Sequence, residues 1–377
     1  MRVGLDGFPL VSPRTGVGHY TFELARALAA VSADDEFHLI APVPLPDSIV
    51  QEINQDTAAN LQLNIPKVRS LRHKWWAAGL PIYLRSLGLD LFHGTNYDVP
   101  LLGRDRNILT IHDLSILLHP EFHEPTLARR GRRRLPLMAR AASRIITPSE
   151  SVKREICEHL GAKPENISVT PEAPRRNFRR VLLHETEETR RRLKIEDEFI
   201  LFVGTIEPRK NLPTLVRAFE EILTTTSLRP QLVIAGGEGW LMEEFLSLAG
   251  GAHIRDRLRL TGYIHDEDLR ALYSSCRVFV YPSLYEGFGL PPLEAMACGA
   301  PVVTSRIPSI VETVGDAASL VDPRNAKELS ASIVELLTDE NKRRSYSTAG
   351  LTRAAGFSWE QTARATLDIY QQVMAKK

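Results

Sequence analysis

Two carboxylates, Glu286 and Glu294, bracket a loop of sequence G-F-G-L that runs into a double proline, Pro291 and Pro292. The stretch 281–304, YPSLYEGFGLPPLEAMACGAPVVT, reads as a strand end, a glycine-bearing loop, a short helix stopped at Gly299, and a new buried strand from Pro301. Proline in a first helical turn and glycine just past the last are the expected punctuation. The amides of Gly287, Phe288, Gly289 and Leu290 enter a helix start with no intrahelical acceptor, and the two glycines admit a ligand close to the backbone. That chemistry suits an anion. A carboxylate beside a phosphate is repelled unless it faces something neutral, so Glu294 suits a ribose diol and Glu286 suits sugar hydroxyls. The plainer alternatives are that Glu294 complements the helix dipole and Glu286 is a solvated loop residue. Taken one residue at a time, these alternatives are at least as good.

A second group of charges follows the apolar run FILFVG, residues 199–204, which has the character of a strand buried on both faces. The turn T-I-E-P-R-K-N then sets Arg209 and Lys210 before the next helix. A guanidinium fork and a mobile ammonium at a strand's carboxyl end suit a diphosphate, with a solvated loop pair as the alternative. Two histidines also fall at strand ends, His93 in FHGTNY and His112 in TIHDL. His112 directly follows an apolar strand and can donate to a sugar hydroxyl or a phosphate oxygen. A structural pairing of His112 with Asp113 is equally open. Gly16 and Gly18 open a helix, but a dinucleotide fingerprint fails there. Thr21 occupies the third glycine position, and the glycines stand about ten residues beyond the strand.

These residues need a scaffold that brings strand ends together. Strands are expected over 2–5, 37–41, 89–93, 108–111, 144–147 and 167–170, and again over 199–204, 232–237, 257–263 and 277–283, with helical stretches between them. The first such helix spans 17–31, with Phe22, Leu24, Ala25 and Leu28 on its apolar side. Such alternation implies α/β architecture with parallel, doubly wound sheets, whose ligands sit at the carboxyl ends of the strands. The charged segment 175–194 lacks a clean apolar stripe and reads as a linker.

A chain of 377 residues suits two domains rather than one core. A net charge of +1 argues against a general nucleic-acid binder. Cys157, Cys276 and Cys298 show no C-x-x-C spacing and read as reduced thiols. No long apolar run and no signal-peptide pattern occur, which places the chain in the cytoplasm. The run Arg129, Arg130, Arg132, Arg133, Arg134 reads as a solvated helix face, with peripheral contact to anionic lipid as the second reading. His73, Lys74, Trp75 and Trp76 precede an apolar helix, where the tryptophans read as core. Asp266 to Asp268 opens a helix as dipole-complementing acids rather than a metal motif, and no spacing suits a metal ligand set.

With the A-x-x-x-G-x-P-V-V continuation, the E-G-F-G-L-P-P-L-E segment resembles the E-x7-E signature of retaining glycosyltransferases of family 4. The resemblance spans nearly the whole chain and is strongest over 199–322. It implies the GT-B architecture of two facing Rossmann-like domains: residues 1–178 on the acceptor side, 195–357 binding a nucleotide sugar, and a helix over 358–377 crossing back onto the first. It further implies a glycine-rich loop at Gly16 and Gly18 directed at the donor diphosphate, a histidine beside the donor sugar (His112), and a nucleobase-reading turn at Tyr263 and Ile264. Arg209 and Lys210 then neutralise the leaving diphosphate. Many members carry an arginine where this chain has Thr205, which shifts the bidentate role to Arg209.

The expected activity is retaining transfer of a hexosyl unit, mannose from GDP-mannose, to a glycan or lipid-linked hydroxyl in bacterial surface polysaccharide assembly. No cofactor or metal is expected. UDP-glucose as donor, a sugar-nucleotide 2-epimerase, a phosphorylase and a non-catalytic nucleotide-sugar binder are the alternatives. The phosphorylase lacks its cofactor lysine in this sequence.

Overall fold

A computed structural model of the chain describes residues 1–12, 16–66, 75–101, 106–237 and 250–375. Two compact units emerge, Met1–Arg176 with Ser358–Lys377, and Asn177–Phe357.

The first unit is built on β1 (Arg2–Asp6), β2 (Glu36–Ile40), β3 (Leu61–Asn64), β4 (Leu91–Gly94), β5 (Asn107–Thr110), β6 (Arg144–Thr147) and β7 (Ile167–Val169). Their order is β3-β2-β1-β4-β5-β6-β7, and every neighbouring pair is parallel. Strands β4, β5 and β6 are buried along their whole length, as expected where both faces of a parallel sheet are covered. Strand β3 has no counterpart in the sequence reading. At the sheet edge it alternates Leu61 and Leu63 with Gln62 and Asn64, too short a pattern to stand out.

The helix Gly16–Val31 buries Tyr20, Phe22, Leu24, Ala25 and Leu28, and the last helix, Trp359–Ala375, packs against it. Trp359 Nε1 donates to the Pro174 carbonyl at 3.0 Å and Thr362 Oγ1 to that of Pro171 at 2.7 Å, so the C-terminal helix is stitched into this unit. His93, one of the two strand-end histidines, lies inside the same core rather than facing a ligand. It is 0% exposed. Its Nδ1 meets Tyr370 Oη and its Nε2 meets Thr110 Oγ1, both at 2.7 Å. Burial and the nearby His112 hold its pKa down to about 3, so the ring is a neutral link between β4, β5 and the last helix. Trp75 packs with Leu80, Leu84, Leu89 and Phe92 as a core residue; His73 and Lys74 fall outside the described residues.

The second unit carries β8 (Phe199–Val203), β9 (Gln231–Ala235), β10 (Leu258–Gly262), β11 (Val278–Tyr281), β12 (Val302–Ser305) and β13 (Ser319–Val321). The order is β10-β9-β8-β11-β12-β13, again all parallel. In both sheets the order reverses once, between β1 and β4 and between β8 and β11, which makes a crevice at the carboxyl ends of those strands. The charged segment read as a linker instead contains the helix Leu183–Leu193, which packs on the helix Asp266–Ser275 within this unit. Among the described side chains its buried positions are Thr186 and Thr189, which a search for apolar periodicity does not register. Asp268, in the first turn of that partner helix, accepts from Thr189 and pairs with Arg192.

The carboxyl ends of β8, β9 and β10 are drawn together by glycines. Gly204 N donates to Ala235 O and Gly236 N to Gly262 O, both at 2.9 Å. A Cβ at Gly236 would stand 2.1 Å from the Gly204 carbonyl oxygen. Gly236→Ala is therefore expected to destabilise the second unit by about 1–3 kcal/mol through overpacking against backbone, read as a lower urea midpoint. An unchanged midpoint would mean the strand ends are not in this contact.

Candidate active site

Arg209 and Lys210 occupy a single 3-10 turn, Pro208–Lys210, that follows β8. Asn211 closes this turn in the left-handed conformation at φ 58°. Its side-chain amide donates to the carbonyls of Pro282 at 3.0 Å and Pro323 at 2.6 Å, which pins the turn against the loop after β11. Across this reversal point in the sheet, both cations converge on Glu286. Arg209 Nη1 reaches Glu286 Oε2 at 2.7 Å, and Lys210 Nζ reaches Oε1 at 2.6 Å. Tyr281 Oη and Ser283 Oγ also donate to Oε1, at 2.8 and 2.6 Å. Lys210 donates as well to Tyr281 Oη, and Arg209 Nη2 pairs with Glu207 at 2.9 Å.

Lys210 is only 7% exposed, and Glu286 beside it is half-buried as a residue, with its side chain 9% exposed. Burial alone would raise the Glu286 pKa, yet the Arg209 and Lys210 charges and the hydrogen bonds from Lys210 and Ser283 hold it at about 2. The Lys210 pKa is lowered as well, but there burial drives the shift. Burial and the Arg209 charge lower its pKa, with Glu286 and Glu207 opposing. The four charges, two of each sign, balance. Glu286 thus emerges as the buried counterion that aligns two cations, whereas the sequence reading gave it sugar hydroxyls to accept. Removing one partner from such a buried pair costs about 3–5 kcal/mol.

The loop after Glu286 is held from behind by the helix Pro308–Val314. Ser309 Oγ donates to the Glu286 carbonyl at 2.5 Å and Thr313 Oγ1 to the Phe288 carbonyl at 2.6 Å. In a trans peptide the carbonyl and the following N–H point in opposite directions. The Gly287 and Gly289 amides therefore point away from that helix. Gly289 has φ 107°, and a Cβ there would lie 2.7 Å from Ile310 Cδ1, so both conformation and space demand glycine. Phe288 is buried in the core edge-on to Phe357, with ring centroids 5.9 Å apart. The helix Leu290–Ala297 begins here, with Glu294 buried in its first turns at 2% exposure. Tyr281, Ser283, Glu207, Ser309 and Thr313 were not singled out from sequence. The Y-P-S that ends β11 was visible, but only the fold turns it toward Glu286.

In the first unit, His112 follows β5 and is buried. Its Nε2 meets the Thr95 carbonyl at 2.8 Å and its Nδ1 meets Glu172 Oε1 at 3.0 Å. Both partners are acceptors, so the ring donates from both nitrogens and is held as an imidazolium. Burial works against the charge, but Glu172 outweighs it and the pKa is raised. The Tyr20 ring stands edge-on at 4.6 Å. The expected donation from His112 to a ligand has no spare N–H in this arrangement. Asp113 does not pair with it through its carboxylate but accepts from Ser115 N and Oγ, at 2.8 and 2.7 Å.

Gly16 opens its helix with open space where a Cβ would be, and Gly18 is buried two residues later; residues 13–15 of that loop fall outside the described residues. Tyr263 follows Gly262 at the end of β10 and is 60% exposed, while Ile264 is half-buried against the core. The structure thus brings Arg209, Lys210, Glu286 and the Gly287–Leu290 backbone together in one unit, with His112, Gly16 and Gly18 in the other. Among the described residues no helix is long and apolar enough to cross a membrane.

The family model for glycosyl transferases group 1 matches residues 185–353, and that for glycosyltransferase family 4 matches residues 14–173. The chain is 32% identical to O-antigen chain mannosyltransferase B of Escherichia coli over 98% of its own length and 100% of that protein's. It is also 32% identical to the serotype-specific mannosyltransferase WbdA of Escherichia coli, over 75% of this chain but 36% of that one. Among solved structures, sucrose-phosphate synthase from Thermosynechococcus elongatus superposes with a TM-score of 0.79 at 22% identity, covering 100% of both chains. HepE from Anabaena in complex with UDP gives 0.74 at 17% identity over 98% of this chain and 99% of that one. Two all-parallel Rossmann-like units, an E-x7-E loop built on a sheet reversal and matches over nearly the full length lead to one conclusion: the chain is a GT-B glycosyltransferase and belongs to the group 1, family 4 glycosyltransferases.

Proposed function

We propose that this glycosyltransferase is a retaining mannosyltransferase, moving mannose from GDP-mannose to a glycan or lipid-linked hydroxyl during assembly of a bacterial surface polysaccharide. The observation that carries the reading is the convergence of Arg209 and Lys210 on one buried carboxylate beside the outward-turned Gly287 and Gly289 amides. The mannosyltransferase relatives at 32% identity support the choice of sugar.

In this mechanism the bond between the anomeric carbon and the phosphate oxygen breaks, and its electron pair leaves with the diphosphate. The acceptor hydroxyl attacks the same face, and its proton passes to the departing phosphate oxygen. Catalysis then rests on stabilising the charge that develops on the leaving group. Arg209, Lys210 and the loop amides supply that stabilisation. The reading requires no metal ion, because side-chain cations already stand where the charge appears. Glu286 stays ionised throughout the working pH range and holds the two cations in register; it is no proton acceptor at a pKa of about 2. Glu294, buried one turn further on, takes the nucleoside ribose.

A panel of nucleotide sugars scored by thermal shift, followed by proton NMR of the glycoside formed, tests the whole reading. The largest shift is expected with GDP-mannose, and the product is expected to keep the donor's anomeric configuration. An inverted product, a preference for UDP-glucose or release of nucleotide without an acceptor would each reject a stated part of it. Lys210→Ala should lower kcat/KM by ~10² or more, the scale of one lost transition-state charge partner, and near wild-type turnover would remove it from the mechanism. Glu294→Ala should weaken binding of free GDP in calorimetry more than it lowers kcat; unaltered GDP affinity would separate this carboxylate from the nucleotide.

A further inference from the structure

The parallel strands of the second unit have two ends, and the charges discussed above all lie at the carboxyl end. At the opposite end, beneath the starts of β8, β11 and β12, lies a cavity of about 1050 Å³. Its size is at the upper limit of small-molecule pockets. Arg180, Arg190, Arg277, Arg343 and Arg344 line it, against only two carboxylates, Glu187 and Asp197. Four residues of β11, roughly 13 Å of strand, separate Arg277 from Tyr281 in the donor-side cluster.

Two helices, Asp266–Ser275 and Leu290–Ala297, end at this cavity. Their carboxyl-end dipoles favour cations and account for part of the charge. Arg343 acts in that way on another helix end, donating to the carbonyls of Leu336 and Leu337. The remaining arginines are not consumed so. Arg190 pairs with Asp197 but its buried Nε has no partner. Arg277 and Arg344 hold only exposed pairs with Glu198 and Glu340, which are worth little and exchange readily. The exposed Arg180 lies along the rim, its Cδ 3.5 Å from where a Gly299 Cβ would stand. Guanidinium forks spread around a concave surface match clustered phosphate oxygens better than one carboxylate.

We propose that this cavity is a second anion site, taking a soluble small molecule that carries two or more phosphate groups. It is separate from the donor reading and stands or falls without it. The short helix Leu290–Ala297 presents the Gly287–Leu290 loop at one end and Gly299 to the cavity at the other, so occupation of the cavity bears on the element that forms the donor loop.

Isothermal titration of the full chain with inorganic tripolyphosphate at about 0.15 M salt, where long-range attraction is screened, tests the site. Arg180→Ala with Arg344→Ala, both on exposed positions, is expected to weaken binding about tenfold or more, the scale of lost charged hydrogen bonds. Circular dichroism of the double variant should show an unchanged melting temperature, and Lys210→Ala should retain the binding. The proposal is overturned if the double variant binds as wild type does, or if Lys210→Ala rather than the double variant abolishes binding. It is overturned equally if polyglutamate binds as tightly as tripolyphosphate, or if phosphatidylglycerol vesicles bind through these arginines and tripolyphosphate does not.

Discussion

A single buried carboxylate organises the chemistry of this protein. Glu286 receives Arg209, Lys210, Tyr281 and Ser283 within 2.8 Å. Two cations adjacent in sequence and confined to a buried turn would repel each other and move apart without it. With it they are fixed, and Glu207 completes a balanced set of charges. The low pKa of Glu286 is the thermodynamic signature of that arrangement, since burial by itself would have raised it. Under the proposed mechanism an arriving diphosphate meets donors already in position, as preorganised electrostatics requires.

The second constraint is topological. Both sheets are parallel and reverse order once, and in the second unit the turn after β8 and the loop after β11 flank that reversal. Only there do two consecutive strand ends diverge enough to leave a crevice. Glycine then sets how closely backbones approach: Gly236 against the Gly204 carbonyl, and Gly289 against Ile310. Hydroxyls on the helix behind the loop turn the carbonyls inward and the amides outward. The orientation of those amides thus comes from side chains on the helix behind the loop.

The first unit shows the same economy with a different charge. His112 sits between two acceptors, Glu172 and the Thr95 carbonyl, and carries both protons. Glu172 and the Thr95 carbonyl favour the protonated ring just beyond the end of β5. His93, inside the neighbouring strand β4 and in register with Ile108, is neutral because its partners are hydroxyls in a dry core. Two histidines near strand ends therefore differ in the charge state their surroundings favour. The difference is the oxygen that each one meets.

Much of this was present in the order of residues alone. Alternating apolar runs and helices announced parallel α/β sheets. The E-G-F-G-L-P-P-L-E and E-P-R-K-N segments announced an anion site, because glycine, proline and adjacent cations have local physical meanings that need no tertiary partner. What the sequence could not settle was every choice made by a distant neighbour. The helix Leu183–Leu193 was hidden because its fully buried positions, among the described side chains, are the threonines Thr186 and Thr189. The β3 strand was hidden because it is short and at an edge. Glu286 was assigned to a ligand, and the fold assigned it to Arg209 and Lys210, which lie far away along the chain. His93 and His112 could not be told apart until the oxygens around them were in place. Local propensity is written in neighbouring residues, but a charge state belongs to an environment, and environments are assembled only when the chain folds.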